Sequence, residues 1–260
     1  MNVSDLLTSK RVRFITVSLV LTLGLVFLSR PPYNAQIQWV YLLVFLALFF
    51  TNLVLGGTVG VERFTLLLLP AVLTLGAGFS QFFFPNFTTV FKVGGWLGFF
   101  LAIYITLLSL NIFKVIRLRG ESIPLERVAR PTAFLLSFVA AFLLLTTVYK
   151  LSFGVWVEAP LVFLIGFILS LSFLWALTLS DFFERDHLLG SFLVGMGLAQ
   201  VSIALSFYPW EAFLRGLTEA TFFYALLGIA RAYFERHLKY SIVLEYIAIV
   251  LVVFILARVF

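Results

Sequence analysis

Polar and ionisable side chains are expensive in hydrocarbon, so each one inside an apolar run is a candidate for chemistry. Three stand out: Gln200, Glu219 and Glu245. Taken together they outline a polar path through a membrane. Taken singly they have plainer jobs. Gln200, near the middle of its run, suits an interhelical hydrogen bond. Glu219 and Glu245 lie about a turn from the ends of theirs, where water can solvate them. Lys92, Lys150 and Arg231 also sit near run ends, and their long stems let the charge reach the headgroup layer.

The segment Asp181-Phe-Phe-Glu184-Arg-Asp186-His187 offers oxygen ligands for a hard cation. Arg185 in its midst, the loose spacing and the lack of a second cluster speak for a solvated helix connection instead. No metal and no cofactor is expected. There is no cysteine, which excludes disulfides, thiolate catalysis and Cys-ligated metals. Trp210-Glu211-Ala-Phe-Leu-Arg215-Gly216 resembles the first motif of the intramembrane CAAX-processing glutamate proteases, Glu-Glu-x-x-x-Arg-Gly. By that resemblance Glu211 and Arg215 match the second Glu and the Arg. Trp210 stands where the family has its catalytic Glu. The only later histidine, His237, has Tyr233 four residues before it where the family has Phe. Phosphate-binding glycine loops and His-Glu-x-x-His are absent. Asn86-Phe-Thr88 is a glycosylation acceptor only in a eukaryotic secretory pathway.

What must position these residues is a membrane bundle. Apolar residues make up 62% of the 260 and charged ones 12%, against roughly 45–50% and 25% in soluble domains. Apolar runs fall near 14–29, 38–56, 64–84, 93–113, 132–149, 159–180, 189–207, 217–234 and 242–257. They are apolar all round, which fits helices and not the alternating strands of a barrel. The fold class is therefore all-α, a polytopic transmembrane bundle of about nine spans, with eight as the alternative if the last run lies in the interface. The whole of 1–260 reads as one integral membrane domain. Phe27-Leu28-Ser29-Arg30-Pro31 supplies no cleavage site, so the first run reads as an uncleaved span.

The formal charge of +6 comes from Lys and Arg at segment ends, a pattern of orientation and not of nucleic-acid binding. With the N-terminus inside, thirteen Lys and Arg fall on inner segments and five (Arg30, Lys92, Lys150, Arg215 and Arg258) on outer ones. The basic loop 114–130 holds five of the eighteen and separates two apolar halves. Tyr33, Trp39, Trp156, Tyr208 and Trp210 fall at outer ends, where amphipathic rings suit the headgroups. The basic inner face is expected to attract anionic lipid headgroups.

Small residues let membrane helices approach. Three stripes at i, i+4, i+8 are expected to face into the bundle: Gly94, Gly98 and Ala102; Ala133, Ser137 and Ala141; Ser191, Gly195 and Ala199. Pro70 should bend the third span. All four inner loops carry Glu-Arg: Glu62-Arg63, Glu126-Arg127, Glu184-Arg185 and Glu235-Arg236. Two-helix repeats after residue 35 would produce this, and so would a glutamate at each helix start beside an Arg kept by the inside rule. Asn111-Ile-Phe-Lys-Val-Ile-Arg-Leu-Arg-Gly, Ile123-Pro-Leu-Glu-Arg-Val-Ala-Arg and Phe223-Tyr-Ala-Leu-Leu-Gly-Ile-Ala-Arg resemble bacterial membrane proteins grouped as a domain of unknown function. That likeness runs over roughly residues 35–240 and implies an inner-membrane protein without naming an activity.

The sequence thus points to a multi-pass protein of the bacterial inner membrane. The preferred reading is a non-enzymatic scaffold or assembly component, partnered by lipid, by other membrane proteins or by its own copies. A transporter or channel for a small or lipophilic solute is the alternative, with an interfacial enzyme third.

Overall fold

An apolar segment that leaves water must still pair its backbone amides, and a helix pairs them within the segment. The computed structural model describes residues 10–28, 33–56, 60–83, 89–119 and 124–259. Among the described residues nine helices follow one another: α1 (Lys10–Phe27), α2 (Tyr33–Leu55), α3 (Val61–Phe83), α4 (Thr89–Arg119), α5 (Glu126–Leu151), α6 (Val155–Thr178), α7 (Arg185–Leu205), α8 (Ala212–Phe234) and α9 (Tyr240–Val259). None of these residues is in a strand. The protein is an all-α polytopic membrane bundle.

Eight of the nine helices are long and apolar enough to cross a bilayer. The exception is α1 and not the last helix, which is the most apolar of the eight. Lys10, Arg11 and Arg13 occupy the first turn of α1. What remains, Phe14 to Phe27, is shorter than the about 20 residues a hydrocarbon core needs.

A second difference from expectation concerns the basic stretch 114–130. Most of it is helix, not loop. Lys and Arg are good helix formers, so α4 continues to Arg119 and α5 begins at Glu126. The connection shrinks to 120–125, of which 120–123 lie outside the described residues, as does the Asn86–Thr88 acceptor. With 31 residues, α4 is about 46 Å long at about 1.5 Å per residue. That exceeds a hydrocarbon thickness of about 30 Å, so one end of it reaches into the polar layer. α3 runs unbroken through Pro70, and the Thr74 hydroxyl donates to the Pro70 carbonyl at 2.7 Å.

The helices gather in two compact units, Met1–Leu136 and Ser137–Phe260. In the first, α2 packs along α3, and α1 packs against α4 and α2. Leu21, Val40, Leu43, Leu66, Ile103 and Leu107 are buried there. The Gly94–Gly98–Ala102 stripe does not serve this packing. Gly94 and Gly98 are exposed, and a Cβ on either would meet nothing within 4 Å. The face of α4 that packs carries Phe99, Ile103, Leu107 and Leu110, whose larger apolar surface decides which side turns inward.

In the second unit α6 and α7 lie closest. A Cβ on Gly195 would sit 2.8 Å from the Phe163 carbonyl oxygen, and one on Gly166 would sit 3.3 Å from the Gly195 Cα. Close backbone approach there requires glycine on both helices. Ser191 and Gly195 are buried and Ala199 is half-buried, while Ala133, Ser137 and Ala141 of α5 are all buried. Helix α8 packs against α7, α6 and α9. Tyr208 and Trp210, between α7 and α8, pack against Phe254 near the end of α9, so α8 and α9 run in opposite directions.

Candidate membrane-embedded polar site

Four helix ends meet in the second unit: the close of α5, the start of α6, the close of α7 and the start of α8. Ser152 (φ 52°) and Gly154 (φ 85°) turn the chain tightly from α5 into α6. That turn sets Tyr149 on one helix near Glu158 in the first turn of the next. On α8, Arg215 and Glu219 are four residues apart and so share a face. Gly216 lets that face close on α5. A Cβ there would stand 2.8 Å from the Thr146 Cα and 2.9 Å from its nitrogen.

The polar atoms converge on Arg215. Its Nη1 is 3.0 Å from Glu158 Oε2, and its Nη2 donates to the Ser202 carbonyl at 3.1 Å. Its guanidinium carbon lies 3.9 Å from the centre of the Tyr149 ring, a cation–π contact. The Tyr149 hydroxyl is 2.9 Å from Ser202 Oγ and is hydrogen-bonded to Glu219 Oε2. Glu158 is 3% exposed, and Glu219 and Ser202 are 0% exposed. Arg215 Nε and Glu219 Oε1 are buried without a hydrogen-bond partner. A half-buried cation, two buried carboxyl groups and two buried hydroxyls thus meet between four helices.

Of the three residues of the expected polar path, only Glu219 is here. Gln200 is exposed on α7, two residues and so about 200° around the helix from Ser202. Glu245 is exposed on α9. The three do not line one path. Tyr149, Glu158, Ser202 and Arg215 take their place. In the sequence each looks like an ordinary residue of a span end, and the one available signal is a glutamate four residues after an arginine at the start of an apolar run.

In the segment from Asp181 to His187, Asp181, Phe182, Glu184, Arg185 and Asp186 are exposed, as a solvated connection requires, and His187 alone departs from that reading, since it lies within α7 and is buried. The Glu184 backbone N–H donates to its Nδ1 at 3.1 Å, which leaves the ring proton on Nε2, 2.9 Å from Thr178 Oγ1. Its ring stacks on Phe234 with centroids 5.5 Å apart. Among the described residues no group of three or more His, Asp or Glu is placed to hold a metal ion. The protease-like pair is also apart. Glu211 is exposed just before α8 and His237 lies beyond its far end, with 23 residues of helix between them.

A family model described as "Protein of unknown function (DUF5656)" matches residues 57–260, from the start of α3 to the end of the chain. No curated protein and no solved structure matches the chain.

Proposed function

The chain belongs to the DUF5656 family of proteins of unknown function, and on that footing we propose that it is a non-enzymatic scaffold or assembly component of a bacterial inner membrane. The observation that carries this reading is the closure of Arg215 on its neighbours. The guanidinium engages Glu158, the Ser202 carbonyl and the Tyr149 ring at once, joining α5, α6, α7 and α8. A cation committed in this way fixes helices relative to one another. Gln200 and Glu245 face away from it, which weighs against a solute path through the three. The basic residues at the end of α4 and the start of α5 would hold anionic headgroups, and membrane-protein partners or further copies would meet the apolar faces.

The absence of native cysteine makes the test direct. Single cysteines at 200, 219 and 245 are treated with a membrane-impermeant maleimide in oriented vesicles. Protection at 200 and 219 supports a dry, clamped unit. Labelling at 219 from either side means that water reaches the cluster, and the transporter reading then replaces the scaffold.

A further inference from the structure

Glu219 lies where an ionised carboxylate cannot remain without a counter-charge. The groups facing it can be counted helix by helix. α5 brings the Tyr149 phenol, α6 brings Glu158, α7 brings the Ser202 hydroxyl, and α8 itself brings Arg215 one turn earlier. The only cation among them is Arg215, and Glu158 holds it at 3.0 Å. An ionised Glu219 would leave one uncompensated negative charge at 0% exposure.

The hydrogen bonds accommodate the same state. The Tyr149 oxygen, which can donate one hydrogen bond and accept another, is bonded both to Ser202 Oγ and to Glu219 Oε2. A protonated Glu219 donating from Oε2 to Tyr149, with Tyr149 donating to Ser202, completes the chain. The other oxygen, Oε1, is buried and without a partner. A neutral carbonyl oxygen tolerates that better than one sharing a full negative charge.

We infer that Glu219 is a proton-binding site, with its proton held on the chain Glu219–Tyr149–Ser202 and its occupancy set by which carboxylate holds Arg215. While Glu158 pairs with Arg215, Glu219 keeps its proton. If Glu158 loses its charge, Glu219 gives its proton to water and becomes the counter-ion. This inference stands on the cluster alone and holds for a scaffold or a transporter.

The test is infrared spectroscopy of the full chain at neutral pH in vesicles of ether-linked phosphatidylcholine, whose lack of ester carbonyls leaves the acid band clear. The wild type should show the C=O stretch of a neutral carboxylic acid. Glu219→Gln should lose it. Tyr149→Phe should move it to higher frequency, because the hydrogen bond to the acid is gone. Glu158→Gln should also abolish it, although the residue changed is a different one, and a merely structural role would not do this. If Glu219→Gln does not fold, the Tyr149→Phe shift and the Glu158→Gln loss decide the matter. A wild type without the band overturns the proposal, and so does a band that all three variants leave in place. A band that appears only when sodium and potassium are replaced by choline overturns the proton in favour of a bound monovalent cation.

Discussion

Lys114 in the first unit and Arg215 in the second are cations near the ends of long apolar helices, neutralised by different means. Lys114 is 8% exposed, and its ammonium donates to the Leu55 and Gly56 carbonyls where α2 ends. Gly56, at φ 65°, ends that helix in the left-handed conformation, its N–H donating to the Asn52 carbonyl at 3.2 Å. The cation answers a helix dipole. Nearby, Arg117 pairs with Glu62 at 2.8 Å, with side chains 19% and 11% exposed. Arg215 and Glu158 are drier, at 13% and 5%, and a second carboxylate and two hydroxyls crowd around them. The first unit answers its buried cation with backbone carbonyls. The second answers its cation with the side chain of a buried glutamate, which makes each depend on the other.

Removing the cation from each region should expose that difference. Arg215→Met would strand the buried Glu158 carboxylate, and breaking a buried pair costs about 3–5 kcal/mol. In mixed micelles of rising SDS fraction, this variant should unfold far earlier than the wild type. Gly216→Ala should follow. Its Cβ would meet the Thr146 backbone, and overpacking of this kind costs about 1–3 kcal/mol. Gly98→Ala, on the open face of α4, should leave unfolding unchanged in the same assay. Lys114→Met comes next, with a loss of about 1 kcal/mol, the size of a favourable charge–dipole contact. If Arg215→Met and Lys114→Met prove equally costly, the contrast between a cation held by a buried carboxylate and one held by backbone carbonyls is wrong.

The spans were legible because bilayer thickness fixes the length of an apolar run, and that signal survives any packing. The site was not, for a related reason. Helices α6, α7 and α8 are apolar around most of their circumference, so no polar stripe marks the face that turns inward. Glu158 and Arg215 therefore look interfacial, and only their meeting across helices makes them a buried pair. Gly216 reads as part of a protease-like motif, although its contact is with Thr146. Gly94 and Gly98 lie on an open face of α4, since small size permits close approach without compelling it. The four Glu-Arg pairs do not share one ion-pairing pattern. Glu62 pairs with Arg117, Glu126 with Arg130 and Glu235 with Arg231, so in none of these does the glutamate hold the arginine beside it. Glu62 and Glu126 lie in first turns, while Glu235 caps the end of α8.

A further pair of substitutions tests whether the second unit's dependence on polar contacts is confined to its interior. Gln200 and Ser202 are two residues apart on α7, yet Gln200 is exposed and Ser202 is sealed beneath Arg215 and Tyr149. Gln200→Leu removes an amide from a surface that lipid covers, so it should shift unfolding by less than about 0.5 kcal/mol, as substitutions away from packed features do. Ser202→Val should cost more, because it leaves the Tyr149 hydroxyl without one of its two partners and puts a branched side chain where Ser202 is fully buried. Measured side by side in the same micelles, equal losses would mean that Gln200 has a buried partner, and the polar path would regain a member. A loss at 202 alone assigns the polar contribution of α7 to the face that touches the cluster.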